Sequence, residues 1–249
     1  MKWRLFAVIL FCPLFCKASA VAQTVITLPV TGLNGPNGFA IDKSGRLYIA
    51  NEPGKQVTRL LNDSTAETVL SCDSPDGLAF DKDDNLFISN FFSGTILRIK
   101  GSAVDTFAKN LDKPADIKFD SVGNLFVAEY ETGNIKKINR GGDITLFASG
   151  FKNPFGLAFD TEGNLYVANN VTGIINKVNP GGATSIFARI PGSIAYLTYS
   201  QKTKRLYAAC FSCHAVYAIT KKGEVIRVVG FWVPRVLWVK ANSECRIQN

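Results

Sequence analysis

Histidine is almost missing from this chain. His214 stands alone among 249 residues, and Met1 is the single methionine. Acid–base chemistry by imidazole therefore rests on one residue, and any other proton transfer falls to carboxylate, tyrosine, lysine or a bound metal. A Ser-His-Asp set would need a serine beside His214, and no Gly-x-Ser-x-Gly elbow occurs. Also lacking is a basic stripe interleaved with aromatics, the footprint of a nucleic-acid binder. Past the first residues, no apolar run is long enough to span a bilayer.

The N-terminal residues differ from the rest. Lys2 and Arg4 precede an apolar run at 5–15, and 18–22 supply small residues. That pattern is a secretory signal, with cleavage expected after Ala22, or alternatively after Ala20. The expectation is an exported chain, periplasmic or extracellular, with no membrane span and monomeric. Without 1–22 the net charge falls from +8 to +5, with +7 in 201–249 set against −2 in the rest. Cys12 and Cys16 leave with the signal. Cys72, Cys210, Cys213 and Cys245 remain in a compartment that permits disulfides, with three pairings open.

What is present in abundance is a repeat. Four heptads align without gaps: Pro-Asn-Gly-Phe-Ala-Ile-Asp at 36–42, Pro-Asp-Gly-Leu-Ala-Phe-Asp at 75–81, Pro-Ala-Asp-Ile-Lys-Phe-Asp at 114–120 and Pro-Phe-Gly-Leu-Ala-Phe-Asp at 154–160. Each leads through a short turn into an apolar strand, at 47–51, 86–90, 125–129 and 165–169. The closing aspartates lie 39, 39 and 40 residues apart. A fifth copy has decayed: Tyr199-Ser200 replaces Phe159-Asp160, and the Pro-x-Gly has lost its register.

Within one unit, strand A is read at 157–159, B at 165–168, C at 174–178 and D at 185–188, with turn residues between them and no helical period. Four short antiparallel strands describe a propeller blade. Such a blade has two apolar faces, and stacking neighbours around an axis buries both. The predicted fold is an all-β propeller of four-stranded blades, with 23–249 as one domain and repeats near 29–70, 71–108, 109–148, 149–188 and 189–229. A strand at 25–28 resembles a lone strand D. The tail at 230–249 does not resemble the other units. The plan is either five blades with an added strand or six with an incomplete composite blade, the latter being the expectation.

The unit Pro-x-Gly-Leu-Ala-Phe-Asp-x-x-Gly-Asn-Leu-Tyr-Val-Ala-Asn resembles the NHL repeat. More loosely it is similar to the gluconolactonase (senescence marker protein) superfamily of six-bladed propellers, over residues 24–229. The resemblance implies that the D-to-A and B-to-C loops share one face around the channel mouth. That face would carry Asn37, Asp76, Asp116 and Phe155 from the loops that open each unit. From the B-to-C turns it would carry Asn51, Glu52, Asn90, Phe91, Glu129, Tyr130, Asn169, Asn170 and Phe211. The aspartates Asp42, Asp81, Asp120 and Asp160 would form turns on the opposite face.

Three chemistries are open to these residues. Asp76, Asp116 and Glu129 could supply oxygens to calcium, which in the lactonase relatives polarises a substrate carbonyl. Recurrent asparagines, by contrast, end strands because their amides bond nearby backbone. Asp116 and Glu129 break their columns and so stand out as site residues. Cys210-Phe-Ser-Cys213-His214 matches the c-type haem attachment signature, though its register puts it on a hairpin turn. Aromatics at Phe91, Phe92, Tyr130, Phe155 and Phe211 suit binding of a protein or small-molecule ligand at the mouth. The leading expectation is a binding scaffold, followed by a metal-dependent lactonase or hydrolase and lastly a haem redox protein.

Overall fold

A computed structural model describes Leu33 and residues 35–62 and 65–230. The strand expected at 25–28 and the tail from 231 lie outside the described residues. Among the described residues twenty strands form five four-stranded antiparallel sheets, arranged as a β-propeller of five blades. Blade one holds β1 (Pro36–Ile41), β2 (Leu47–Asn51), β3 (Gln56–Leu60) and β4 (Ala66–Ser71). Blade two holds β5 (Pro75–Phe80), β6 (Leu86–Asn90), β7 (Thr95–Lys100) and β8 (Ala103–Ala108). Blade three holds β9 (Pro114–Phe119), β10 (Leu125–Glu129), β11 (Asn134–Ile138) and β12 (Ile144–Ser149). Blade four holds β13 (Pro154–Phe159), β14 (Leu165–Asn169), β15 (Ile174–Val178) and β16 (Thr184–Arg189). Blade five holds β17 (Ile194–Ser200), β18 (Arg205–Cys210), β19 (Ala215–Ile219) and β20 (Val225–Gly230).

The first strand of each blade starts earlier than its apolar residues suggest. In blade four it runs from Pro154 rather than 157, because a bulge between Pro154 and Leu157 keeps the Pro-x-Gly segment paired with the second strand. Asn37, Asp76, Asp116 and Phe155 therefore sit within bulged strands, not in entry loops as expected.

The turns between first and second strands explain the aspartate column. Asp42, Asp81, Asp120 and Asp160 each accept backbone N–H bonds through Oδ1 from the residues two and four positions on. These bonds close the turn locally. The position three beyond the aspartate has positive φ in every case, taken by glycine in three blades and by Asp84 (φ 66°) in blade two.

Blades are joined by a recurring aromatic trio. Phe87 of β6 meets Phe107 of its own β8 at 4.9 Å and Phe119 of the next blade at 5.0 Å, both edge to face. Phe126 repeats this with Phe147 and Phe159, and Tyr166 with Phe187 and a stacked Tyr199. Each such pair adds about 0.5–1.5 kcal/mol beyond area burial. Every apolar cluster accordingly spans two consecutive blades. The innermost strands β1, β5, β9, β13 and β17 follow one another around the channel.

Their spacing is close. A Cβ on Gly77 would lie 2.6 Å from the Ala115 carbonyl, and one on Gly156 would lie 2.5 Å from that of Ala195. In blades one, two and four glycine holds this column, because there the neighbouring strand leaves no room for a side chain.

Candidate ligand site at the channel mouth

Backbone bonds place the entry segments and the B-to-C turns at one end of the blades. Glu52 N–H donates to Gly35, Phe91 to Ser74, Tyr130 to Lys113, Asn170 to Asn153 and Phe211 to Ser193. These segments therefore share one end of the ring, and their side chains divide into two sets.

The first set is architectural. Asn90 Oδ1 accepts from Ser74 N–H at 2.9 Å and from its hydroxyl, and Asn169 Oδ1 accepts from Lys152 N–H at 2.7 Å. Asn169 Nδ2 also donates to Ile174 and Asn176, and Asn51 Nδ2 donates to Thr58 Oγ1. Glu129 does the same work. Its Oε1 accepts from Asp112 N–H at 3.1 Å, while Oε2 accepts from Thr132 at 3.1 Å and from Asn134. The acidic residue in this column is thus a longer version of the asparagine cap, not a group aimed at a ligand.

The second set faces the channel and joins blades. Asp116 Oδ2 accepts the Leu157 N–H of blade four at 2.9 Å, and Oδ1 accepts from Ile117 N–H and from the Lys118 ammonium at 2.5 Å. Asp76 Oδ1 accepts a 2.5 Å bond from the Tyr196 hydroxyl, which links blade two to blade five. Both carboxyls are almost fully buried. Burial pushes the Asp76 carboxyl up to about 7, the charges of Asp116 and Glu52 add to this, and the Tyr196 bond and Lys118 oppose it. The Tyr196 hydroxyl is pushed well above its ordinary value by burial and by those two carboxylates.

Tyr196 is the residue that sequence reading missed. It occupies the column of Gly38, Gly77 and Gly156 in the decayed fifth copy. Setting Tyr199 on Phe159, carried back three positions, reveals a phenol where three other blades have no side chain.

Aromatic rings continue outward from this point. Tyr196 meets Phe155 at 5.3 Å, Phe155 meets Tyr130 at 6.0 Å, Tyr130 meets Phe91 at 5.8 Å and Phe91 meets Phe92 at 5.2 Å, all edge to face. The arc crosses blades five, four, three and two. Phe92 at its end is 71 % exposed and borders a groove of about 510 Å³ lined also by Glu52, Pro53, Lys55, Asp73 and Ser93. Phe211 is exposed at the tip of the blade-five turn, outside this chain of ring contacts. Asn37 is exposed, and Asn170 Nδ2 donates to the Ile194 carbonyl.

The proposed calcium ligands do not fit that ion. Asp116 spends its oxygens on two backbone N–H groups and an ammonium, and Glu129 is turned into its own blade. Among the described residues no group of three His, Cys, Asp or Glu could hold a metal. The haem motif fares similarly. Cys210 and Cys213 form a disulfide across the B-to-C turn, which leaves neither sulfur free for a thioether. Cys210 stands in the asparagine column, and among the described residues Cys72 is a half-buried thiol with no disulfide partner. Cys245 lies outside the described residues.

No known family model and no curated protein matches this chain. Solved propellers do resemble its fold. Virginiamycin B lyase from Staphylococcus aureus superposes with a TM-score of 0.68 at 16 % identity, over 81 % of this chain and 71 % of the lyase. A gluconolactonase from Xanthomonas campestris gives 0.70 at 17 %, over 80 % and 76 %. The nidogen/laminin complex gives 0.67 at 22 %, over 74 % and 75 %. At these identities the likeness shows the fold class, a β-propeller, and nothing narrower. One similar structure is a lyase, one a gluconolactonase and one part of a protein–protein complex.

Proposed function

We propose that this chain is an exported NHL-type propeller whose loop face binds a small-molecule or protein ligand. The carrying observation is the arc of five rings, Phe92, Phe91, Tyr130, Phe155 and Tyr196, that ends on the buried Asp76 carboxyl. An aromatic surface beside a groove and a few convergent polar groups is the ordinary make-up of a recognition site. Rings with two rotatable bonds provide contact area at small entropic cost. The test is calorimetric titration of a panel of short peptides, with and without an aromatic residue, and of oligosaccharides. A saturable ligand whose affinity falls at least tenfold in Phe92→Ala/Tyr130→Ala supports the reading. Ligands that bind the variant equally well would place recognition elsewhere.

A second reading, a hydrolase of the gluconolactonase type, is favoured by one observation. A carboxyl that titrates about 7 beside a phenol is tuned for proton transfer at neutral pH. Its test is pH-stat assay of glucono-lactone opening by wild type and Asp76→Asn, with and without added calcium. Turnover no faster than the buffer rate in both conditions removes this reading and leaves the first intact.

A further inference from the structure

The turn that joins β18 to β19 departs from its counterparts at three positions. Cys210 pairs with Ile194 as Asn90 pairs with Pro75 and Asn169 with Pro154, so a sulfur stands where those blades carry a loop cap. Cys213 replaces Ser93, Thr132 and Thr172, and His214 (φ 47°) replaces Gly94, Gly133 and Gly173. The capping itself has moved. Ser212 Oγ accepts the Ser193 N–H at 2.8 Å, as Asn90 Oδ1 accepts the Ser74 N–H in blade two. Cys210 and Cys213 are thereby released from holding the entry segment, and they are joined to each other.

The two sulfurs are unequal. Cys210 is 4 % exposed, whereas Cys213 is only half-buried and shares its turn with Phe211, which is 76 % exposed. An incoming thiolate therefore reaches Cys213, and Cys210 is the sulfur that leaves. Partners for the separated sulfurs are already in place. The Cys213 N–H donates to Cys210 Sγ at 3.3 Å, a bond that strengthens when the sulfur carries charge. The Pro191 carbonyl oxygen lies 3.1 Å from Cys213 Sγ, an acceptor for its thiol. Gly192 makes the room for this arrangement, since a Cβ there would lie 3.0 Å from each sulfur and 2.5 Å from Ser212 Oγ. Disulfide and dithiol thus fit one backbone.

We propose that Cys210 and Cys213 are a reversible thiol–disulfide exchange couple that oxidises a dithiol peptide segment, with Cys213 as the sulfur attacked. One substrate thiolate bonds to Cys213 Sγ as the bond between the two cysteines breaks, and that bond's electron pair passes to Cys210. The second substrate thiolate then attacks the substrate sulfur held by Cys213, which closes the substrate disulfide and expels Cys213. The substrate loses two electrons and two protons, and the cysteine pair takes up both. A low-molecular-weight disulfide, such as oxidised glutathione, restores the pair by the same steps in reverse. The exposed Phe211 ring supplies an apolar contact for the peptide. This inference stands independently of the ligand reading.

The test begins with the unaltered chain in glutathione buffers, from fully oxidised to about 10 mM reduced, followed by acid quench, alkylation and peptide mass mapping. The expected result is a passage from disulfide to dithiol at 210 and 213 within that range, with a cooperative thermal transition in both forms. A pair that stays oxidised at the reducing end is a structural disulfide and overturns the proposal. Loss of the thermal transition on reduction overturns it as well. Two variants read the direction of attack. Cys210→Ala should capture glutathione on Cys213 at least about tenfold faster than Cys213→Ala captures it on Cys210. Equal rates, or the reverse order, overturn the assignment of Cys213. Oxidation of a synthetic dithiol peptide by oxidised glutathione should run at least about tenfold faster with wild type than with Cys210→Ala/Cys213→Ala. Equal rates there overturn the activity. If the variants do not fold, the titration of the unaltered chain decides.

Discussion

The Tyr196 hydroxyl donates to Asp76 Oδ1 at 2.5 Å, joining the first strand of blade five to that of blade two, 120 residues away. In other blades the Asp76 position holds asparagine, alanine or phenylalanine, and the Tyr196 position holds glycine or, in blade three, Asp116. The bond connects the aromatic arc to the channel's buried charge.

The Asp76 carboxyl gives a pH signature of definite sign. Its pKa is about 7 in the folded chain and about 4 when unfolded. Between those values the native state keeps a proton that the unfolded chain has released, so stability falls as pH rises from about 4 to about 7 and is level above. Three units correspond to an upper bound of about 4 kcal/mol. Asp42 and Asp160, held below the ordinary carboxylate range, act below that window with the opposite sign. Asp76→Asn should flatten the fall and exceed wild type in stability above pH 7. Urea denaturation at pH 4, 5.5, 7 and 8.5 checks it, and an unchanged slope in the variant would refute the assignment.

Tyr196→Phe removes the donor and leaves the carboxylate without this partner. The expected loss is about 1.5–3 kcal/mol above pH 7, where the acceptor is charged, and less near pH 5, where it is protonated. In a double-mutant cycle with Asp76→Asn the two effects should be strongly non-additive at high pH. Additive losses would mean that the two side chains act separately.

How far the sequence carried the reading follows from what repeats. Blades were legible because the same physical demand recurs in each: an Asx turn at Asp42, Asp81, Asp120 and Asp160, an aromatic on the second strand and a close approach at Gly77 or Gly156. The site was less so. Asp76 and Asp116 stood out because they are charged and Glu129 because it breaks its column, yet a break in a column need not be a break in role, and a longer carboxylate can still cap a loop. Tyr196 escaped because the fifth copy was read from Tyr199 onward, and the segment before it, without Pro-x-Gly, was left out of the column comparison. The bonding of Asp76 to Tyr196 depends on blades meeting across a channel, and no local pattern encodes that.

The asparagine column should cost stability and not recognition. Asn169→Ala leaves the Lys152 N–H without its acceptor and frees Ile174 and Asn176 from their donor, an expected loss of about 1–3 kcal/mol. Glu129→Gln retains an amide oxygen for the Asp112 N–H and should stay within about 1 kcal/mol of wild type. Thermal denaturation of the pair checks this. A Glu129→Gln variant with intact stability but abolished ligand binding would return Glu129 to the site.

The cysteine turn separates a structural loop from a redox centre. With Cys210 and Cys213 joined, iodoacetamide applied without reductant should modify neither, and prior reduction should expose both. Cys72 should react slowly even so, since burial and then the Asp73 charge push its thiol up to about 11. At pH 8 its thiolate fraction is on the order of one in a thousand. Peptide mass mapping reads all three positions at once. Protein matured alongside haem-attachment machinery should show the same map and no Soret band, because His214 sits on an exposed turn at positive φ and both sulfurs are already bonded. A Soret band that disappears in Cys210→Ser would instead make the turn a haem site and its disulfide the product of a chain that never met the cofactor.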